Sequence, residues 1–142
     1  MNALRCVLLG VVFLSARADA AQGEFDPDAL KFQELSAYFQ DPEQTYATSR
    51  SIDQVLREAD SILVSRDRFF ISQIVSSIPL TELQPCPVSQ PENVYLVVKL
   101  KEDGANRARV YASDGKWIYS SDYSRCAAAP PALLNQFDPR PR

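Results

Sequence analysis

Any catalytic reading of this 142-residue chain starts from a missing side chain: it has no histidine, the commonest general base and zinc ligand. Its three cysteines are Cys6, Cys86 and Cys126. If Cys86 and Cys126 pair, no thiol nucleophile remains, and Ser-His-Asp catalysis, Cys-His catalysis and the usual zinc sites fall away together. What an enzyme could still use is carboxylate chemistry of the glycosidase type or a Ser-Lys pair. The carboxylates are many and scattered, and no neighbour marks one out. Ser113-Asp114-Gly115-Lys116 has the S-x-x-K spacing of serine acyl-enzymes. Those enzymes place the pair one turn apart at a helix start, whereas Asp114-Gly115 signals a hairpin turn. No nucleophile elbow, phosphate loop, H-E-x-x-H, calcium loop or N-x-[ST] site occurs. The expectation is therefore no catalytic residue, no metal site and no cofactor.

A second pattern concerns contact. From Val94 the apolar period is two: Val94, Leu96, Val98 and Leu100 alternate with Tyr95, Val97 and Lys99. Glu102-Asp103-Gly104 fits a three-residue hairpin loop, and Asp114-Gly115 a two-residue turn. Together they pair Leu100 with Asn106, Leu96 with Val110, and Ala112 with Trp117. One face then carries Leu96, Val98, Ala108, Val110, Ala112, Trp117 and Tyr119. The other carries Tyr95, Lys99, Arg107, Arg109, Tyr111, Lys116 and Ile118, with Lys101 beside them. Basic groups among tyrosines suit another protein or an anionic surface, and nucleic acid is the least favoured such partner. The plain alternative is a solvated outer face whose charges discourage edge pairing. Lys99 would face Arg107, an unfavourable like-charge pair unless an anion bridges it.

These elements need helices to pack on. Asp26-Pro27-Asp28 reads as a helix start, with Leu30, Leu35, Tyr38 and Phe39 as its stripe to about Gln40. Ser51-Ile52-Asp53-Gln54 has capping-box spacing, followed by Ile52, Val55, Leu56, Ala59, Ile62 and Leu63 at helical spacing. Over Arg66 to Ile78 a helix fits Phe70, Ile71, Ile74, Val75 and Ile78 better than a strand, and Pro79 ends it. Pro85, Pro87 and Pro91 around Cys86 suggest an extended connector.

The first twenty residues have the form of an export signal: a short n-region carrying Arg5, an apolar run from Cys6 to Leu14, and Ala18-Asp19-Ala20 as a small-x-small cleavage site. The run is too short to span a membrane, which takes roughly 20 residues. Cys86 and Cys126 would then meet an oxidising compartment and form one disulfide. The formal charge of −3 is too mild to imply a partner.

The expected organisation is a cleaved signal peptide (1–20), a single α+β domain (21–126) and an Ala/Pro-rich tail (127–142) that docks through Leu133, Leu134 and Phe137. The expected fold is N-terminal helices packed on a C-terminal three-stranded antiparallel β-meander with one disulfide. The expected role is that of an exported, periplasmic or secreted, non-catalytic binding protein of the inhibitor, immunity or envelope-accessory kind. The alternatives are a secreted effector acting on a host or competitor, and a small carboxylate-based hydrolase.

Overall fold

The structure, a computed structural model, describes residues 31–140. The export signal, its cleavage site and the helix start at Asp26-Pro27-Asp28 lie outside the described residues. The expected architecture is overturned: the described residues form one seven-stranded antiparallel sheet flanked by two short helices. In chain order the strands are β1 (Phe32–Phe39), β2 (Ser61–Ser65), β3 (Gln84–Pro85), β4 (Leu96–Glu102), β5 (Ala108–Ser113), β6 (Trp117–Ser120) and β7 (Arg125–Ala128). The helices are α1 (Ile52–Glu58) and α2 (Arg68–Ser77). Across the sheet the order is β2-β1-β4-β5-β6-β7-β3.

The first correction is β1, whose residues fit a helical stripe in sequence. Leu35, Ala37 and Phe39 are buried while their neighbours Ser36 and Tyr38 are only partly so, a period of two rather than 3.6. Both edges of β1 are occupied, by β2 and β4. Partners some twenty to seventy residues away therefore decide its conformation. The second correction is the length of α1. The Ser51 cap forms as expected, with the Gln54 amide donating to Ser51 Oγ at 3.3 Å and the Ser51 amide to Gln54 Oε1 at 2.9 Å. The helix nevertheless stops at Glu58, and Ala59 turns to extended backbone (ψ 137°). Ile62-Leu63-Val64 then pairs with β1, as its β-branched residues favour. α2 is helical as expected, with Asp67 Oδ1 accepting from the Phe69 and Phe70 amides at 2.9 and 3.3 Å.

The third correction is register. Gly104 and Gly115 take positive φ (74° and 90°) at the two predicted turns. The first loop is longer than expected, so Leu100 faces Arg109 and Leu96 faces Ser113. That is a slip of three residues, and an odd slip moves a strand's side chains to the opposite face. At the second turn Ala112 faces Tyr119 and Ser113 faces Ile118, an even slip that preserves the faces. The cause lies in the loop after Glu102 and in β5, where Tyr111 packs against the main core while Ala112 is buried on the opposite face, so the alternation of β5 does not single out one face.

The main core lies on the face carrying Leu35, Ala37, Phe39, Leu96, Val98, Leu100 and Ile118. It is covered by Ile71, Val75 and Ile78 of the α2 segment and by Leu133 and Phe137 near the C-terminus. The opposite face carries a smaller core of Val94, Val97 and Ala112 under Val55 of α1, with Ile52 and Leu56 partly buried against it. Cys86 and Cys126 form a disulfide with their Cα atoms 5.0 Å apart. The chain folds back after Tyr123 to make β7, which pairs with β3 just before Cys86.

Candidate interaction surface

The basic and aromatic set expected on one face is divided between two. Lys99 and Lys101 lie on the α1 face, with Lys99 Nζ 5.4 Å from the centre of the Tyr38 ring. Arg109, Tyr111 and Ile118 lie on the α2 face. Ile118 is buried, and Tyr111 is partly buried against the main core. Arg109 forms an ion pair with Glu102. Arg107 is exposed in the loop before β5, and Lys116 in the turn before β6. Tyr95, partly buried, is fixed by its backbone: its amide donates to the Ser113 carbonyl and its carbonyl accepts from the Gln40 amide. Lys99 sits opposite Val110 rather than Arg107, which removes the like-charge pairing that had suggested a bridging anion.

The Ser113 hydroxyl is committed to turn geometry. It donates to the Trp117 carbonyl at 2.8 Å and accepts from the Gly115 amide at 3.0 Å, while Asp114 Oδ1 accepts from the Lys116 and Trp117 amides. Beside the turn, Tyr119 donates to Asp114 Oδ2 at 3.3 Å. Burial, followed by the Asp114 charge and that hydrogen bond, pushes the Tyr119 phenol up to about 12. An unfolded tyrosine titrates at about 10, so from there to about pH 12 the unfolded chain releases this proton first and stability falls as pH rises. Tyr119→Phe is expected to flatten part of that fall, since burial raises Tyr123 as well. Urea midpoints at pH 8 and pH 11 read it, and an unchanged difference between the two would count against the assignment.

A groove of about 680 Å³ opens beside Trp117, between Pro85 and Pro87 on one side and Ala127 and Ala128 on the other. Glu82 is the one carboxylate in its lining, so the pair needed for glycoside hydrolysis is not assembled there. Among the described residues no group of three or more His, Cys, Asp or Glu is placed to hold a metal. No described helix is long and apolar enough to cross a membrane.

The two edges of the sheet differ sharply. At one end β3 is two residues long, contains Pro85 and is pinned by the disulfide that follows it. Short length and proline are standard protections of an edge strand. At the other end β2 is five residues long, has no proline or charge within it, and exposes Ile62 (57 %), Leu63 (39 %) and Val64 (58 %). Its outer row of amides and carbonyls faces no described strand. Phe69, 65 % exposed, stands on the first turn of α2 just after it. This surface was missed in sequence because Ile62 and Leu63 also fit a helical stripe. The signal that could have found it is an Ile-Leu-Val run bracketed by Ser61 and Ser65.

Comparison of the chain with protein-family models, curated proteins and solved structures gives no match.

Proposed function

We propose that this chain is an exported, non-catalytic binding protein that acts by contact through the β2 edge. The observation that carries the reading is the contrast between edges: one is blunted by Pro85 and the disulfide, while the other is left long, apolar and open. An open edge of this kind is a template for strand addition, in which backbone hydrogen bonds supply affinity and side-chain pockets supply specificity. The Cys86–Cys126 bond supports an oxidising compartment, in keeping with the export signal read at residues 1–20. Ser113, the residue with a nucleophile's spacing, supports the non-catalytic part, because its hydroxyl serves the turn.

The test is affinity capture from the cell envelope of its own source, with mass spectrometry of what co-purifies. Val64→Lys sets an ammonium on the open edge at an exposed position, where stability changes by no more than about 0.5 kcal/mol. Loss of the captured protein from this variant is expected. Identical capture by variant and parent would overturn the reading.

A further inference from the structure

The open edge carries a symmetry in its own sequence. Asp60-Ser61-Ile62-Leu63-Val64-Ser65-Arg66 reads alike from either end in chemical kind, except that the charge inverts. Serine answers serine, Ile62 answers Val64, and Leu63 stands at the centre. We propose that β2 pairs with β2 of a second copy, antiparallel and centred on Leu63, joining two sheets into one across a two-fold axis.

In that register Leu63 faces its own counterpart, Ile62 faces Val64, Ser61 faces Ser65 and Asp60 faces Arg66. Two-fold symmetry makes every unlike pair occur twice, as an isologous interface requires. Directly opposed residues of an antiparallel pair share a face. Ile62 and Val64, in register with Tyr38 and Ser36 of β1, therefore join their counterparts on the α1 side, and Leu63, in register with Ala37, on the α2 side. Slipping the pairing by two residues sets Asp60 against Val64 or Arg66 against Ile62, a charge against an aliphatic chain each time. The end charges are at the surface: the Arg66 side chain is 81 % exposed and engages Glu34 through Nε, and Asp60 is exposed while accepting from the Asp41 amide at 2.8 Å. A foreign extended peptide would use the same backbone groups, but it gives no reason for Asp60 and Arg66 to be mutually complementary.

This inference rests on the reading of β2 as the contact edge, and it names the partner as a second copy. The paired strand is only five residues long, whereas stable interfaces typically bury roughly 1,200 Å² or more, so association is read over a concentration series. Sedimentation velocity of the chain purified after export is expected to show a dimer fraction that rises with concentration. Asp60→Arg sets guanidinium against guanidinium twice, and Arg66→Asp sets carboxylate against carboxylate twice. Each variant alone is expected to associate about tenfold more weakly. An equal mixture of the two restores both opposite-charge pairs in the mixed dimer, so association returns on mixing. Leu63→Lys, which opposes two ammonium groups on the axis, makes the same test without touching the Asp41 contact of Asp60. A wild-type chain that is monomeric throughout, variants that associate as well as the parent, or mixing without recovery would each overturn the proposal. A monomer that still loses its captured protein through Val64→Lys overturns the dimer alone. A rescued dimer that captures only its own chain supports the second copy as the partner of this edge and overturns a partner of any other kind.

Discussion

Removing the Cys86–Cys126 bond is expected to lower the thermal unfolding midpoint by about 15 °C. The two cysteines are 40 residues apart, and closing a loop of that size in the unfolded chain is worth about 4 kcal/mol in the chain-entropy model. For a domain of this size each kcal/mol moves the midpoint by about 4 °C. The bond also has a local task. β3 offers β7 only two residues of pairing, helped by Arg125, whose Nη2 and Nε donate to the Leu83 carbonyl at 2.6 and 3.2 Å. Without the crosslink this edge should open, exposing the outer side of β7 and the buried Cys126 position. Melting curves of the oxidised protein and a Cys86→Ser, Cys126→Ser double variant measure the global effect. Amide exchange at Gln84 and Cys86 measures the local one. A shift of only about 3 °C would mean that the denatured chain is already compact around this loop.

Arg50→Ala is expected to cost about 3 kcal/mol, a large loss for one polar side chain. Arg50 is only 6 % exposed. Its Nε donates to Gln40 Oε1 at 2.7 Å, its Nη1 lies 2.8 Å from Glu58 Oε2, and its guanidinium sits over the Tyr46 ring at 4.5 Å. Gln40 is itself buried and donates through Nε2 to the Glu58 carbonyl at 2.8 Å. The cluster ties the end of β1, the loop after it and the last turn of α1 to one another. Truncation leaves Gln40 Oε1 buried without its donor, worth about 1–3 kcal/mol, and removes the stacking on Tyr46, worth about 1 kcal/mol or more. The Glu58 pair adds little, because that carboxylate is 57 % exposed. Arg50→Lys should recover less than half of the loss, since one ammonium cannot serve Gln40, Glu58 and the Tyr46 ring at once. Urea unfolding of both variants checks this, and a loss below about 1 kcal/mol for Arg50→Ala would show that water replaces the guanidinium at Gln40.

The parts of the fold that could be read from sequence were those set by neighbours in the chain. The Ser51–Gln54 capping box and the Asp67–Phe70 helix start each need only a few adjacent residues. Gly104 and Gly115 mark turns because positive φ suits glycine wherever it occurs. Cys86 and Cys126, although 40 residues apart, could also be paired, because the one other cysteine, Cys6, falls in the apolar run near the N-terminus. β1 was illegible because Leu35, Tyr38 and Phe39 satisfy a helical stripe equally well, and only pairing with β2 and β4 decides between the two. The strand register failed because β5 alternates between two sets that each reach a core, Tyr111 on one face and Ala112 on the other. The candidate binding set inherited that error. A three-residue slip was enough to send Arg109 and Tyr111 to the face opposite Lys99 and Lys101. Arg50, at the centre of the buried polar cluster, gave no signal, because nothing in a charged residue's sequence neighbourhood says that it will be enclosed.

The unequal ends of the sheet also limit how far assembly can run. A sheet with two open edges can add chains without end, which is the geometry of a fibril. Here growth has one permissive terminus and one chain terminator: once the β2 side is occupied, what remains outward is the Pro85 edge locked by Cys86 and Cys126. The same disulfide that stabilises the monomer therefore guards against polymerisation, and reducing conditions would remove both protections at once.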